Sequence, residues 1–596
     1  MSGFNHGRKA FCDSLKVDKI NNSYNKMNSI VDKKKTALVQ KWIGRGLKSS
    51  LMFAPLIFLV LFFFYPLGSI LRLSLFPEGS PEFDVFRELV ESSYYRQTLW
   101  FTIWQAALST VLTLALAIPG AHVFARYDFP GKSALLALAT LPFVLPTVVV
   151  AAAFIALLGP QGTLNEFLKQ TFNLDEPPIR LQRTLTIILI AHVFYNYAIA
   201  LRIVSTFWAN QNRRIQEAAA MLGASPFTVF RRVTLPLIMP AILAAGALVF
   251  IFTFTSFGVV RLLGGLKYAT LEVEIYQQAT ALFDLPTAGA LSVVQIFVTL
   301  LMMMVYTRLQ DRMNQPLNLQ AAKSLSRKPA NRGEWMWIGA NLLVILILIF
   351  MPLLALLERS LTVGEGSFTL RYYEALSENP RLSITRVPPL EAVKNSLQFA
   401  LVAMVFALIL GTLAAYLLAQ RNRLTHWFDP LFMLPLATSA VTLGFGFIIA
   451  LDEPPINLVR SFWIIPIAHT LVAMPFVVRS VLPSLRGIRP SVREAASMLG
   501  ASAWERWWRI ELPMIARSLM VGATFAFTIS MGEFGAALFI ARSNQPTIPI
   551  VIFRLIGDPG VLNYGQALAM SMILMGVCAA GFLLIERLNR AVIGEF

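Results

Sequence analysis

The chain has 596 residues, 56% of them hydrophobic and 14% charged, with a mean hydropathy of +0.62. So little polar surface cannot solvate a soluble protein of this size, and the composition is that of a polytopic membrane protein. The net charge of +18 does not mark a nucleic-acid binder, because the basic residues sit between apolar runs and not on one soluble domain.

Residues 1–50 carry eleven Lys and Arg, including Lys33, Lys34 and Lys35, and predict a basic arm that is disordered or lies on the membrane surface. The first apolar run follows this arm and has the length of a span, so it reads as a retained helix and not as a cleaved secretory signal. Apolar windows long enough to cross about 30 Å of hydrocarbon begin near Leu51, Leu99, Leu135, Leu185, Ile238, Gly289, Trp337, Leu397, Phe428, Phe462, Leu519 and Ala567. They predict an all-α polytopic protein of twelve spans, six per half. Pro66, Pro119, Pro142, Pro146, Pro435 and Pro475 are taken as kinks within bundled helices and not as ends.

Glu78, Glu82, Asp84, Glu88 and Glu91 follow the first span, whereas the arm before it is basic. The positive-inside rule therefore places the N-terminus in the cytoplasm. Counting from there, Arg126, the group Arg308, Arg312, Lys323, Arg327 and Lys328, the cluster Arg421 to Arg423, and Arg590 near the C-terminus all fall inside. Cys12 and Cys578 are the only cysteines; they offer neither a disulfide framework nor a cysteine metal site.

The segment from Glu217 to Pro236, EAAAMLGASPFTVFRRVTLP, returns from Glu494 to Pro513 as EAASMLGASAWERWWRIELP, an offset of 277 residues. The same offset pairs His192 with His469, Arg202 with Arg479, Phe257 with Phe534, Gly258 with Gly535 and Thr270 with Thr547. Six spans per copy is an even number, so the two copies run parallel and form a pseudo-dimer. The predicted organisation is a basic arm at 1–50, a first repeat at 51–314, a linker of polar composition at 315–335 and a second repeat at 336–596. Earlier in the repeat Leu141 pairs with Leu434 at an offset of 293, so the first half carries 16 extra residues between its third and fourth spans. The second half has the longer loop between its first two spans, Ser360 to Lys394. Both excesses are external on this topology, while the cytoplasmic pieces keep their spacing.

Each duplicated segment predicts two short helices hinged at a glycine. Ala218, Ala219 and Leu222 give the first helix a small, weakly apolar face that another protein can approach closely. Gly223 breaks it, and Ser225 as N-cap with Pro226 at the first helical position starts the next. In the second copy Ser502 is the cap, followed by Trp504, Trp507 and Trp508 with Arg506 and Arg509 beside them. The alternative is a loop that packs only against its own bundle.

Both segments match EAA, three residues, Gly, nine residues, an aliphatic residue (Val233 and Ile510), one residue, then LP. This resembles the signature of binding-protein-dependent ABC importer permeases, and with the span count the resemblance covers roughly residues 50–595. It implies that each segment is a coupling helix seated on an ATPase subunit, through Glu217, Ala218, Ala219 and Gly223 in the first copy and Glu494, Ala495, Ala496 and Gly500 in the second. It also implies two ATPase copies on the cytoplasmic side, an extracytoplasmic solute-binding protein, and a bacterial inner-membrane location. No GxxxxGK[ST] phosphate loop is present, so ATP and Mg are expected on the partner chain and no cofactor on this one. The chain is then a transport subunit and not itself an enzyme.

Polar groups inside spans are costly and mark interiors or water-filled paths. Asn196, Ser256, Gly258, Arg261, Glu533 and Gly535 are the candidate pathway residues. Glu533 either lines the path or pairs with Arg479 or Arg202; the two arginines are expected as snorkelling anchors. His192 and His469 are expected to make interhelical hydrogen bonds. Within the family, SerPheGly at Ser256, the stretch Thr270 to Gln277 and GlyGluPheGly around Glu533 are similar to permeases for ferric iron and thiamine, and two intact EAA copies lean toward ferric iron. The competing class is an ion-coupled secondary transporter, which also has parallel six-span repeats.

Overall fold

The computed structural model describes residues 53–593 apart from 77–78, 82, 140–141, 143–144, 212, 314–325, 364–366, 379–386, 421–424 and 453–456. The basic arm, the first half of the linker and the Arg421 to Arg423 cluster lie outside the described residues. Elsewhere the chain is almost entirely helical; one antiparallel pair, Thr362–Val363 with Ser367–Phe368, supplies the named strands.

Eleven helices are long and apolar enough to cross a membrane, or twelve if the bent pair Phe428–Leu436 and Ala440–Leu451 is one span. Spans one to six are Phe53–Leu75, Ser93–Arg126, Thr147–Phe172, Leu185–Ala209, Pro226–Phe254 and Leu285–Gln310. Spans seven to twelve are Arg332–Ser360, Pro389–Ala419, the bent pair, Ile464–Gly487, Ala503–Gly532 and Val561–Leu584.

The third span of each half departs from the expected single helix. Lys132–Ala139 stops short of Pro142, and Thr147–Leu158 starts anew after Pro146. In the second half Thr425–Ala437 gives way to Ala440–Leu451 across a 97° bend, with Ser439 capping the new helix. At the offset of 293, Pro142 corresponds to Pro435 and Pro146 to Ser439. Pro146 is extended, with ψ 143°, and its ring disfavours a helical residue before it. It marks an end, not a kink. Pro119 and Pro475 do remain inside continuous helices.

A different device precedes four other prolines. Single wider π-type turns at Val60–Phe64, Phe230–Thr234, Leu346–Phe350 and Trp507–Glu511 lead into Pro66, Pro236, Pro352 and Pro513. The wider turn relieves the clash of the proline ring with the carbonyl four residues back and absorbs the missing N–H. Two of these turns are the LP ends of the EAA segments.

The leading helix of each repeat crosses to the other half. Tyr65–Leu75 packs on Ala440–Leu451, and Met351–Ser360 packs on Thr147–Leu158. Gly446 allows the first contact, since a Cβ there would stand 3.2 Å from Pro66 Cβ. The reciprocal exchange joins the halves through one buried apolar cluster that includes Val149, Phe154, Ile349 and Leu568.

The two external excesses meet each other. Helix Thr163–Phe172 of the first half faces the end of span seven, where Arg359 Nη1 lies 3.0 Å from Glu166 Oε2 and Thr163 Oγ1 donates to Glu358 Oε2 at 2.7 Å. At the opposite end the last linker residues are anchored. Arg327 N donates to Arg126 O at 3.1 Å, Asp128 N donates to Arg327 O at 2.9 Å, and the Arg327 guanidinium pairs with Glu334.

Candidate functional site

Both EAA segments lie in the turns between spans four and five and between spans ten and eleven. Each opens as a helix, Arg213–Met221 or Pro490–Met498. Gly223 and Gly500 close them with φ of 84° and 80°, a left-handed conformation that a Cβ disfavours. Ala224 N then reaches back to Ala219 O at 3.2 Å, and Ala501 N to Ala496 O at 3.0 Å, which satisfies carbonyls at the helix end. Ser225 Oγ caps the second helix by accepting from Thr228 N at 3.3 Å. Ser502 and Glu505 do so reciprocally, with Glu505 N to Ser502 Oγ at 3.2 Å and Ser502 N to Glu505 Oε2 at 2.8 Å. The expected pair of hinged helices is present twice.

Glu217, Ala218, Gly223, Glu494, Ala495 and Gly500 are exposed. Ala219 is half-buried and Ala496 buried, so these two face their own bundle and not a free surface. The outward stripe instead carries Met221, Leu222, Met498 and Leu499, each 88% exposed. Large apolar side chains presented in this way mark an interaction surface.

The two copies are seated differently. Glu511, which replaces Thr234 at the same register, is buried beneath the second segment and accepts from the Tyr416 hydroxyl at 2.6 Å. Arg493 Nε and Arg506 Nε stand 3.2 and 3.3 Å from it, at ion-pair distance but not aligned for hydrogen bonds. Beneath the first segment lies a cavity of about 340 Å³ bordered by His122, Trp208 and Thr234, with Arg126 Nη1 donating to Gln216 Oε1 at 2.6 Å.

Where spans five and eleven break, the halves enclose a second cavity of about 290 Å³. Asn196, Ser256, Gly258, Glu533 and Gly535 all line it. Arg261 does not; its guanidinium lies 5.9 Å over the Tyr276 ring. The equivalent rings of Phe257 and Phe534 stack at 5.6 Å across the interface, and both border this cavity. A Cβ at Gly258 would collide with Thr147 Oγ1, and one at Gly535 would stand 3.0 Å from Ala440 Cβ. The two glycines thus let each broken fifth span approach the start of the helix that follows a broken third span.

His192 joins spans two, four and five, with Nδ1 3.2 Å from Ser109 Oγ and Nε2 2.9 Å from Ser256 Oγ. His469 Nδ1 lies 2.7 Å from Ser530 Oγ. Both form the interhelical hydrogen bonds expected of them. Glu533 is buried and accepts from the amides of Ala536 at 2.8 Å and Ala537 at 3.0 Å, while His469 Nε2 lies 3.3 Å away. Neither arginine is its partner. Asn196 Nδ2 donates to His192 O at 3.0 Å, and its buried Oδ1 has no protein partner.

Arg202 and Arg479 are not snorkelling anchors. They line a third cavity of about 680 Å³ between the halves, nearer the EAA segments. Phe252, Leu436 and Phe476 border both this cavity and the one holding Glu533.

Sequence reasoning passed over Glu272, which is fully buried and crosses between the halves. Ser439 Oγ donates to its Oε2 at 2.7 Å, and Gln295 bonds its other oxygen. An acid at the head of an apolar helix, Leu271–Gln277, next to a break in the other half was the available signal.

Two parallel six-span repeats that enclose aligned cavities, with a duplicated docking segment at one end, define a membrane permease. The chain belongs to the family of binding-protein-dependent transport system inner membrane components, which matches it twice, over residues 114–318 and 396–594. It is 28% identical over 510 residues to the thiamine transport system permease protein ThiP of Salmonella typhimurium, covering 83% of this chain and 89% of that one. It is 25% identical over 549 residues to the probable ABC transporter permease protein y4fN of Sinorhizobium fredii, covering 89% and 94%. A chain from a bacterial ABC transporter involved in alginate import aligns over 46% of this chain and 99% of its own length, at 19% identity and a TM-score of 0.39. Family membership displaces the ion-coupled alternative.

Proposed function

We propose that this chain is the complete transmembrane pathway of an ATP-driven importer, working with two copies of a separate ATPase subunit and an extracytoplasmic solute-binding protein. Both termini and both EAA segments lie in the cytoplasm of a bacterial cell. Met221 and Leu222, with Met498 and Leu499, are the knobs that enter the ATPase pair, and Gly223 and Gly500 set the angle at which they do so. The stacked Phe257 and Phe534 close the external side while the cavity of Arg202 and Arg479 lies toward the cytoplasm, which corresponds to an inward-facing state. ATPase closure would carry the two EAA segments together and part the two rings.

The solute we infer is a small organic cation, thiamine in the first place. The supporting observation is the position of Glu533: one buried carboxylate in a cavity whose border includes Tyr195, Phe252, Phe257, Phe476, Phe525 and Phe534. A carboxylate with aromatic faces suits a flat cation, through charge and cation–π attraction. The relatedness to thiamine permeases points the same way. Ferric iron is the second reading, favoured by the two intact EAA copies. The test is accumulation of labelled thiamine and of labelled ferric citrate in cells expressing the chain with its ATPase and binding protein. Thiamine uptake that falls at least about tenfold in Glu533→Gln, equivalent to roughly 1.4 kcal/mol, supports the first reading. Iron uptake without thiamine uptake overturns it.

A further inference from the structure

The cavity nearest the EAA segments is bordered by two arginines at equivalent places in the two halves. Arg202 and Arg479 both extend exposed into it, and Arg479 Nε is held by Met433 Sδ at 3.2 Å. The rest of its border supplies neutral donors, Thr206, Asn210, Tyr306 and Gln310, and no carboxylate. Two guanidinium charges thus share one recess whose other walls are Ile, Leu, Met, Phe and Pro. In such low-dielectric surroundings like charges repel strongly, and an oxyanion that both arginines can grip relieves that repulsion. Guanidinium groups match phosphoryl oxygens in geometry as well as charge.

We propose that Arg202 and Arg479 form a phosphoanion site, one arginine from each repeat, in the cavity below Phe252, Leu436 and Phe476. The ligand class is a compact dianion bearing phosphoryl oxygens, either a free phosphate compound or a lipid headgroup. Its charge cancels that of the two arginines, so that a cation leaving the Glu533 cavity meets a neutral path. That consequence, and the placement on the cytoplasmic side, rest on the import reading above; the site itself does not.

The test is equilibrium binding of inorganic pyrophosphate to the purified full chain in nanodiscs of phosphatidylcholine, repeated with phosphatidylglycerol. We expect saturable binding that weakens at least about tenfold in Arg202→Gln and in Arg479→Gln, as for loss of a hydrogen bond to a charged group. It should vanish in the double variant, partly return in Arg202→Lys/Arg479→Lys, and be unchanged in Arg371→Gln at the far end. Competition by phosphatidylglycerol identifies a headgroup as the source, and its failure to compete identifies a soluble phosphate; both support the site. Pyrophosphate binding that is absent from the wild-type chain in both lipids, or equally tight in the double Gln variant, overturns it. Transport is not read in this assay, so a wrong assignment of the importer would leave the binding result intact.

Discussion

Phe257 and Phe534 occupy the same position in the two repeats, and their rings stack on each other with centroids 5.6 Å apart and planes inclined by 28°. A residue that meets its own duplicate lies on the pseudo-twofold axis. The axis of the permease therefore passes between these rings, next to Glu533. An offset aromatic pair is worth about 0.5–1.5 kcal/mol beyond its buried area. Phe257→Leu and Phe534→Leu should show a coupling energy of that size in a double-mutant thermal unfolding cycle. The double variant should also hydrolyse ATP without the binding protein, because the external closure is weakened. Full dependence on the binding protein would deny the rings that role.

Gly258 and Gly535 predict a second effect. Added Cβ atoms would collide with Thr147 or crowd Ala440, so Gly258→Ala should slow uptake strongly while the protein still folds. Thr147→Ala removes the hydroxyl that the new methyl meets, and should restore part of the rate. Uptake by Gly258→Ala equal to the wild type would show that this approach does not matter for the transport cycle.

The stripe formed by Met221, Leu222, Met498 and Leu499 separates docking from folding. At 88% exposure, Leu222→Asp and Leu499→Asp should each change stability by no more than about 0.5 kcal/mol. The pair should nevertheless abolish co-purification of the ATPase. Gly223→Ala and Gly500→Ala act differently, forcing a Cβ into left-handed backbone at about 1–2 kcal/mol each. They should retain the ATPase while lowering transport per ATP hydrolysed, as measured by the ratio of uptake to phosphate release.

Glu511 makes the two coupling segments unequal. Its partners Arg493 and Arg506 are about one-third exposed, so solvent screens the pairs. Glu511→Thr, which installs the residue of the first copy, should cost about 1–2 kcal/mol and not the larger loss of a dry ion pair. Hydrogen exchange should then rise in the segment around Pro490–Met498 and stay constant around Arg213–Met221. Unchanged exchange in both would show that Glu511 does not hold the second segment.

The duplicated segment was legible because its information is local. Glycine, Ser caps and LP dictate backbone conformation within a few residues, and both copies fold as their residues require. Helix count was legible for the same reason, since a span is defined by a run of apolar residues. The breaks at Pro146 and Ser439 were not, because hydropathy reports that a window is greasy and says nothing of whether it is straight. Ala219 and Ala496 were assigned to the free face although which side of a short helix meets the bundle depends on distant partners. Arg202 and Arg479 looked like anchors from their place near the helix ends; only packing of the two halves brings them to one cavity. Glu533 lay between two readings in the sequence, and its contacts with His469 and the amides of Ala536 and Ala537 exclude the arginine pairing.

The most direct measurement is uptake of labelled thiamine into proteoliposomes containing this chain with its co-purified ATPase, supplied with loaded binding protein outside and ATP inside. Accumulation that requires ATP and is lost in Leu222→Asp/Leu499→Asp is the expected result. Accumulation that proceeds without ATP on an ion gradient, or survives that double substitution, would contradict an importer driven through the two EAA segments.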